Sequence, residues 1–429
     1  MKILVEKANV MLFTDEGINI KQCDIAIEGG KITSIGKAPE GFLPIKKIDA
    51  RCMIAMPGLI NTHTHLPMSL LRNYADDMPL MDWLERKVWP VESRLSEEDI
   101  YWGSMLSIAE LIMSGTTCFN DMYEFADSVA QAAFDSGIRG FVANTLFDRT
   151  RIADKGLSKT EDLFRKWSRT SEGRVGVMVA PHAPYTCSDD YLVEAARAAR
   201  ELGTGLHIHL SESRAEVAQS LERNKRTPVR HLYELGVFEG RTLAAHCVHV
   251  TSEDMELLAQ NNVCVLNNPA SNLKLGNGFA PVEAMMQNGI CVSLGTDGAC
   301  SNNSQNMLED MKLAALINKG VGENPQALSA DRVIKMATVS GANALGIGSV
   351  TGSLEEGKAA DIILVDMKAA NMQPVHNMAS AIVYSAQAAD VDTVIVNGKI
   401  LMENRMLTTI NLDYVKKKAL ESANRITGA

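Results

Sequence analysis

The chain has 429 residues, of which 46% are hydrophobic and 22% are charged, and its formal net charge is -10. This globular composition excludes a disordered or fibrous chain, and the negative charge argues against a surface that binds nucleic acid. No apolar stretch reaches the ~18–20 residues of a membrane helix, and the lack of an export signal and of C-x-x-C pairs predicts a cytoplasmic protein with reduced thiols.

The N-terminal residues 1–55 alternate apolar and polar side chains, and Gly29-Gly30 predicts a hairpin turn. Residues 56–350 instead contain eight β-branched apolar runs, separated by helical patterns such as Asp189–Leu202 and Ser252–Gln260. Eight alternating units predict an α/β fold of the (β/α)8 TIM-barrel type. A doubly wound sheet fits less well, because the chain has no Gly-rich phosphate loop.

Residues 351–429 return to the alternating pattern, with a hairpin turn predicted at Asn397-Gly398 and a terminal helix after it. Neither end of the chain has enough strands to bury a sheet alone. We therefore expect residues 1–55 and 351–429 to form one smaller, composite β domain beside a barrel of residues 56–350.

Almost every apolar run of the barrel region ends in a polar or ionisable side chain. These residues are His63, His65, Asn120, Asn144, His182, His209, Glu212, His246, Asn267 and Asp297. In a barrel the carboxyl ends of the strands share one face, where active sites form. The pattern therefore predicts an enzyme.

Two H-x-H pairs stand out among the nine histidines, His63 with His65 and His207 with His209. Residues at i and i+2 of a strand face the same side, so each pair can share one site, although such pairs also occur as packed core histidines. With a later histidine and an aspartate at strand ends, the set suits one catalytic divalent metal, zinc or alternatively iron(II). We expect His207, one layer deeper, to pack behind the site.

Several longer motifs resemble the amidohydrolase superfamily, and within it the bacterial 5-methylthioadenosine/S-adenosylhomocysteine deaminases. The motifs are PGLINTHTHLPMSLLR, HIHLSES, AAHCVH, NPASNLKLG, GTDGACSNN and EEGKAADIILVD. The resemblance covers essentially the whole chain. It implies a barrel inserted into a composite β domain, and hydrolytic deamination of an adenosine derivative with release of ammonia.

The resemblance also implies roles for individual residues. The implied metal ligands are His63, His65, His209 and Asp297. Glu212 would shuttle protons to ring N1 and to the departing amine, and His246 would hydrogen-bond the attacking water and the tetrahedral oxygen. The alternative for Glu212 is a helix cap beside Ser211 and Ser213.

The substrate contacts implied are Glu92, through the ribose hydroxyls, and His182, while Trp89 is a candidate wall of the pocket. Asn144 departs from close relatives, which carry arginine there to pair with the amino-acid carboxylate of S-adenosylhomocysteine. We therefore expect a preference for uncharged 5'-modified adenosines such as 5'-methylthioadenosine or 5'-deoxyadenosine. Three cations of the next loop could replace that arginine: Arg149, Arg151 and Lys155.

Two other functions remain compatible with the sequence. One is a mononuclear amidohydrolase that deaminates or dechlorinates another aromatic ring, such as guanine, a pterin or a triazine. The other is a non-catalytic assembly protein of the same fold, which should have lost metal ligands. The expected partner is a small nucleoside rather than nucleic acid or membrane, and a homo-oligomer is compatible with the sequence.

Overall fold

The structure is a computed structural model that describes residues 1–148, 156–170 and 173–428. Arg149, Arg151 and Lys155 lie outside the described residues, so their proposed role in substrate binding stays a prediction. The strands are β1 (Lys2–Thr14), β2 (Gly17–Glu28), β3 (Lys31–Gly36), β4 (Lys46–Asp49), β5 (Met53–Pro57), β6 (Leu59–Thr64), β7 (Thr116–Tyr123), β8 (Arg139–Leu146), β9 (Val175–Val177), β10 (Ala180–Pro181), β11 (Leu206–Leu210), β12 (Thr242–His246), β13 (Cys264–Asn267), β14 (Cys291–Leu294), β15 (Ile362–Asp366), β16 (Val391–Val396), β17 (Lys399–Glu403) and β18 (Met406–Leu407).

Helices separate the strands of the barrel and follow the last strand of the chain. The α-helices are α1 (Leu80–Trp83), α2 (Trp89–Glu92), α3 (Glu97–Met113), α4 (Ala126–Ser136), α5 (Gly156–Thr170), α6 (Asp189–Glu201), α7 (Arg214–Asn224), α8 (Pro228–Glu234), α9 (Ser252–Gln260), α10 (Pro269–Lys274), α11 (Val282–Gln287), α12 (Met307–Val321), α13 (Ala330–Lys335), α14 (Gly341–Ala344), α15 (Met378–Ser380) and α16 (Leu412–Thr427). Short 3₁₀ helices span Leu66–Leu71, Val237–Glu239, Ala370–Met372 and Ala388–Asp390, and π-helical turns span Leu84–Val88, Met336–Ser340 and Ala381–Ser385. Of the helices in the described segments, none combines the length and apolarity that a membrane span requires.

Each of the eight apolar runs forms a barrel strand, as predicted, and the fourth run forms two pieces, β9 and β10. β6, β7 and β8 pair in parallel in that order, and β9 and β10 both pair in parallel with β8. β11 through β14 pair in parallel in chain order. A parallel bridge between Val179 and Leu206 joins the two groups. All eight residues of β7 are buried, because helices cover one side of the strand and the barrel interior fills the other.

The barrel closes where β14 meets β6. The Thr62 hydroxyl donates to the Leu294 carbonyl at 2.8 Å, and the Asp297 N–H donates to the His63 carbonyl at 2.9 Å. Gly295 permits this approach, since a Cβ there would lie 2.7 Å from the His63 nitrogen. The closing contact therefore places Asp297 directly beside the first histidine of β6.

Both chain ends form one nine-stranded sheet, in the order β18-β17-β16-β15-β5-β1-β2-β3 with β4 paired to β1. Antiparallel pairing of β5 with β15 joins the two ends, so β5 extends the N-terminal part of the sheet two residues past position 55. The Gly29-Gly30 and Asn397-Gly398 hairpins form as predicted, with positive φ at all four residues. Such φ angles define the type I′ turn, whose twist matches that of the paired strands.

Candidate metal centre and active site

Three strand ends and one loop bring imidazoles and a carboxylate together. Nε2 of His63 and Nε2 of His65 lie 3.4 Å and 3.2 Å from Oδ1 of Asp297. Nε2 of His209 lies 3.3 Å from Nε2 of His65. The candidate ligand atoms form two groups, and within each group all atoms lie within 4.8 Å of one another. Both groups contain His63: one adds His65 and Asp297, and the other adds His209 and His246. The four predicted ligands therefore converge, with His246 beside them.

Hydrogen bonds on the far side of the rings prepare two of these histidines to bind a cation. Nδ1 of His65 donates to the Met122 carbonyl at 2.6 Å, and Nδ1 of His209 donates to the His182 carbonyl at 2.8 Å. Because a carbonyl only accepts, Nδ1 carries the proton in each neutral ring and Nε2 keeps its lone pair. Nε2 of His63 is buried without a hydrogen-bond partner in the described part of the chain. This donor set fits one divalent metal.

His207 packs behind the ligands, as the sequence predicts. It is fully buried, and its Nε2 lies 2.8 Å from Nδ1 of His63. Nδ1 of His207 lies 3.1 Å from the side-chain nitrogen of Asn120, which donates to the Thr62 carbonyl. A buried series of polar contacts, from His207 to Asn120 and the Thr62 carbonyl, thus fixes the ring of His63 on the side away from the ligand cluster.

Asp297 remains a carboxylate in this setting. Burial raises its pKa, but the imidazoles of His63 and His65 outweigh that effect and hold the pKa well below its usual value. The hydroxyls of Ser271 and Ser301 donate to Oδ2 at 2.6 Å and 2.9 Å, which leaves Oδ1 facing the histidines. Its backbone is left-handed, with φ 64°.

Glu212 lies at the edge of the same cluster, with one oxygen held and the other directed at His246. The Asn277 amide donates to Oε1 at 2.9 Å, and Oε2 lies 3.9 Å from Nε2 of His246. Burial raises the pKa of Glu212, and His246 partly offsets that effect. The cap of α7 is Ser213, whose hydroxyl accepts from the Glu216 N–H. Glu212 therefore does not cap α7, and its role in proton transfer stays a prediction.

His246 takes its orientation from Asn272, whose side-chain oxygen accepts from Nδ1 at 2.8 Å. Nε2 therefore carries the lone pair and faces the cluster. Asn272, Asn277 and Ser271 were assigned no role from the sequence, although all three lie in the polar run that follows β13. The signal available was their position after a barrel strand, on the face that carries the site.

A cavity opens over the cluster. Its lining includes His65, Trp83, Trp89, Glu92, Tyr123, Phe147, His182, Tyr185, His209, Glu212, His246 and Asp297. The Tyr123 hydroxyl donates to Glu92 at 2.6 Å, and Nδ1 of His182 lies 2.9 Å from the Thr186 hydroxyl. The predicted contacts Glu92, His182 and Trp89 thus line one cavity. The sequence did not predict the other aromatic residues of this lining, which are Trp83, Tyr123, Phe147 and Tyr185.

Asn144 lies apart from this cavity. It lines a neighbouring cavity, which shares Trp89, Glu124, Thr145 and Phe147 with the first, and the described lining of the first does not include it. Its side-chain oxygen accepts the N–H of Ala126, in the first turn of α4, at 3.2 Å. A contact between Asn144 and substrate therefore stays a prediction.

Comparison with known proteins agrees with this geometry. A model of the amidohydrolase family matches residues 54–401. The chain belongs to this family. A "5-methylthioadenosine/S-adenosylhomocysteine deaminase" of Thermoanaerobacter pseudethanolicus is 48% identical over 417 residues, which cover 97% of each chain.

Two solved structures extend the comparison. A structure described as an adenosine deaminase from Xanthomonas campestris with bound zinc has a TM-score of 0.95 and 33% identity, covering 100% of this chain and 99% of the other. Atrazine chlorohydrolase from Arthrobacter aurescens TC1, complexed with zinc, has a TM-score of 0.91 and 27% identity, covering 98% and 100%. This likeness over the whole length of the chain confirms the predicted barrel fold.

Proposed function

We propose that this protein is a metal-dependent deaminase that hydrolyses the 6-amino group of an adenosine derivative and releases ammonia. The observation that carries the proposal is the placement of Glu212 and His246 beside three histidines and Asp297, under one cavity. The names of the relatives at 42–48% identity support an adenosine derivative as substrate.

His63, His65, His209 and Asp297 would hold the metal, and we propose zinc because the adenosine deaminase structure carries it. A divalent ion bound there supplies Lewis acidity that lowers the pKa of water toward ~7. Metal analysis of purified protein, followed by reconstitution of stripped protein with zinc or iron(II), tests this choice. Higher turnover with iron than with zinc would contradict it, and the absence of any stoichiometric metal would favour an assembly protein.

Glu212 and His246 would divide the proton transfers. Nε2 of His246, with its lone pair directed at the cluster, accepts a hydrogen bond from the attacking water. Glu212 donates its proton to ring N1, takes one proton from the attacking water and passes it to the departing amine, and regains a proton from the same water oxygen as the C6 carbonyl forms. Burial raises the pKa of Glu212 and so favours the protonated form that begins this sequence. Asn277 keeps the carboxyl directed at the reacting ring.

The cavity wall would bind the nucleoside. Glu92 would accept hydrogen bonds from the ribose hydroxyls while the Tyr123 hydroxyl donates to its Oε1. Trp89 would cover the rings of the nucleoside. His182, which lines the same cavity, would also contact the substrate. Because Asn144 carries no charge and its oxygen already accepts from α4, we propose that uncharged 5' substituents are preferred.

The decisive experiment is ammonia release from a panel of adenosine, 5'-methylthioadenosine, 5'-deoxyadenosine, S-adenosylhomocysteine, guanine, a pterin and a chlorotriazine. We expect turnover of the adenosine derivatives alone, with a higher kcat/KM for 5'-methylthioadenosine than for S-adenosylhomocysteine. Turnover of guanine or the triazine in their place would contradict the proposed substrate class. A preference for S-adenosylhomocysteine would contradict only the proposal about the 5' substituent.

A further inference from the structure

Glu216 is a buried acid to which the chemistry above assigns no role. It lies in the first turn of α7 and is 6% exposed. Its Oε1 accepts the N–H of Ser211 at 2.8 Å, and its Oε2 accepts the N–H of Glu212 at 2.7 Å. Both oxygens of one carboxylate therefore hold consecutive backbone groups of the turn that carries the proposed proton shuttle.

This contact differs from ordinary helix capping. In a capping box the acidic residue at the third helical position accepts the N–H of the cap residue itself. Two other α-helices in the described segments follow that rule: Asp99 accepts from the Ser96 N–H in α3, and Asp254 accepts from the Thr251 N–H in α9. Glu216 occupies the same position after the cap Ser213, yet it reaches past the cap to the two preceding residues. Capping alone does not account for its geometry.

The turn that Glu216 holds has an unfavourable backbone conformation. Ser211 is left-handed, with φ 51°, which is uncommon for a residue other than glycine. This bend lies between the ligand His209 and Glu212, so it sets the direction in which the Glu212 side chain leaves the strand. Without an acceptor, two buried N–H groups would lose their partner, and each such loss is destabilising. The carboxylate thus stabilises the bend that aims Glu212.

Burial of this acid is itself costly. Desolvation raises the pKa of Glu216 to about 7, while the two N–H bonds oppose that rise. Glu212 and His246 lie close enough to change the pKa of Glu216. The charge of Glu216 in turn contributes to the raised pKa values of Tyr185 and Cys247. Burying a carboxylate beside Glu212 and His246 carries a desolvation cost that a cap on an exposed helix end does not.

We propose that Glu216 is a positioning residue: its carboxylate holds the backbone of Ser211 and Glu212 so that the Glu212 side chain stays between Asn277 and His246. The inference rests on the proposed function, because it presumes that Glu212 transfers protons. It assigns Glu216 no contact with the substrate or the metal.

The first test is a double-mutant cycle with Glu216→Gln and Glu212→Gln. A glutamine at 216 has one acceptor oxygen instead of two, so one N–H of the turn loses its partner. We expect kcat for 5'-methylthioadenosine to fall roughly 10- to 100-fold, with KM and bound metal unchanged. In the Glu212→Gln background the same change should cause no further loss, because Glu216 acts only through Glu212. Equal losses in both backgrounds, or a loss confined to KM or metal content, would overturn the proposal.

Two variants serve as controls. Glu222→Gln makes the same substitution on the exposed side of α7 and should leave kcat unchanged. Glu216→Asp keeps the charge on a side chain that is one methylene shorter, so it cannot reach both N–H groups. It should lower kcat as Glu216→Gln does, and it replaces that variant if the glutamine protein does not fold. Full activity of Glu216→Asp would contradict the need for both hydrogen bonds.

The second test is independent of activity. Hydrogen-exchange mass spectrometry should show faster amide exchange at residues 211–212 in Glu216→Gln than in Glu222→Gln or the unmodified protein. If the unmodified protein deaminates no substrate, the proposed function fails, and this exchange result still decides whether Glu216 holds the turn. Unchanged exchange would show that it does not.

Discussion

Hydrogen bonds behind the reacting groups decide what each side chain can do. Carbonyl acceptors set the tautomers of His65 and His209, and the Asn272 amide sets that of His246. Each choice leaves Nε2 with a lone pair directed at the cluster. At the scale of single residues, the chemistry therefore depends on partners that lie outside the ligand set.

Glu212→Gln tests the proposed proton shuttle. Glutamine keeps the size and the acceptor for Asn277 but cannot donate a proton at neutral pH. We expect kcat to fall by roughly 10²–10⁴, the usual contribution of general acid–base catalysis, with bound metal unchanged. Steady-state kinetics and metal analysis on the same sample check this. Unchanged turnover would remove Glu212 from the role.

Ser271→Ala tests the support of Asp297. The variant removes one of two hydroxyls that donate to Oδ2, so the carboxylate is less firmly oriented toward the histidines. We expect roughly 10- to 100-fold weaker metal affinity, measured by competition with a chelator. Ser34→Ala, in the terminal sheet, is the control and should bind metal normally. Equal affinity in both variants would contradict the inferred support.

At the scale of elements, buried polar contacts tie the loops above the barrel to the helices around it. Asp310 of α12 accepts the Ala270 N–H at 3.1 Å, in the first turn of α10. Its other oxygen accepts from the Asn302 amide at 3.0 Å, in the loop that follows Asp297. One carboxylate thus links three consecutive pieces of the site's framework.

Asp310→Asn should change how stability depends on pH. Burial raises the pKa of Asp310 to about 7, so between about pH 4 and 7 the folded protein binds more protons than the unfolded chain. Its contribution to stability is then greatest at low pH and is lost as pH rises through that window. We expect the free energy of unfolding of Asp310→Asn, relative to the unmodified protein, to rise from pH 4 to 7.

Urea unfolding in the presence of a chelator measures this difference without the contribution of metal binding. The exposed neighbour Glu309, changed to glutamine, is the matched control and should show no such trend. A pH-independent difference for Asp310→Asn would refute the expectation.

At the scale of the whole molecule, a buried ion pair joins the barrel to the terminal sheet. Arg139, at the start of β8, pairs with Asp361, which precedes β15, at 2.9 Å, and their side chains are 4% and 0% exposed. The Asn397 N–H also donates to Asp361, at 2.7 Å. The contact connects positions that are far apart in the chain, and it does so where both charges are shielded from water.

Arg139→Met should be strongly destabilising, because it leaves the buried charge of Asp361 without its counter-ion. We expect a loss of about 3–5 kcal/mol in the free energy of unfolding, measured by urea denaturation. The double variant Arg139→Met with Asp361→Leu should lose less than the single one, since no isolated charge remains. Arg197→Met, in an exposed pair with Glu201, is the control and should cost less than about 1 kcal/mol. Equal losses for Arg139→Met and Arg197→Met would contradict the expectation.

Local patterns in the sequence predict much of this protein. Strands buried on both faces need continuous apolar runs, so each of the eight runs predicts a barrel strand by itself. The period of two in a strand predicts that His63 and His65 face one site, and turn residues with positive φ predict both hairpins. These features depend on neighbours in the chain, and for that reason the sequence alone determines them.

The tertiary structure decides which distant groups meet. The Asn277 amide reaches Glu212, the Tyr123 hydroxyl reaches Glu92, and the oxygen of Asn144 is taken by α4. No periodicity encodes these contacts, because each depends on how far two separate elements approach and at what angle. Barrel closure brings Asp297 beside His63 across more than 230 residues, and only the packed strands decide that distance.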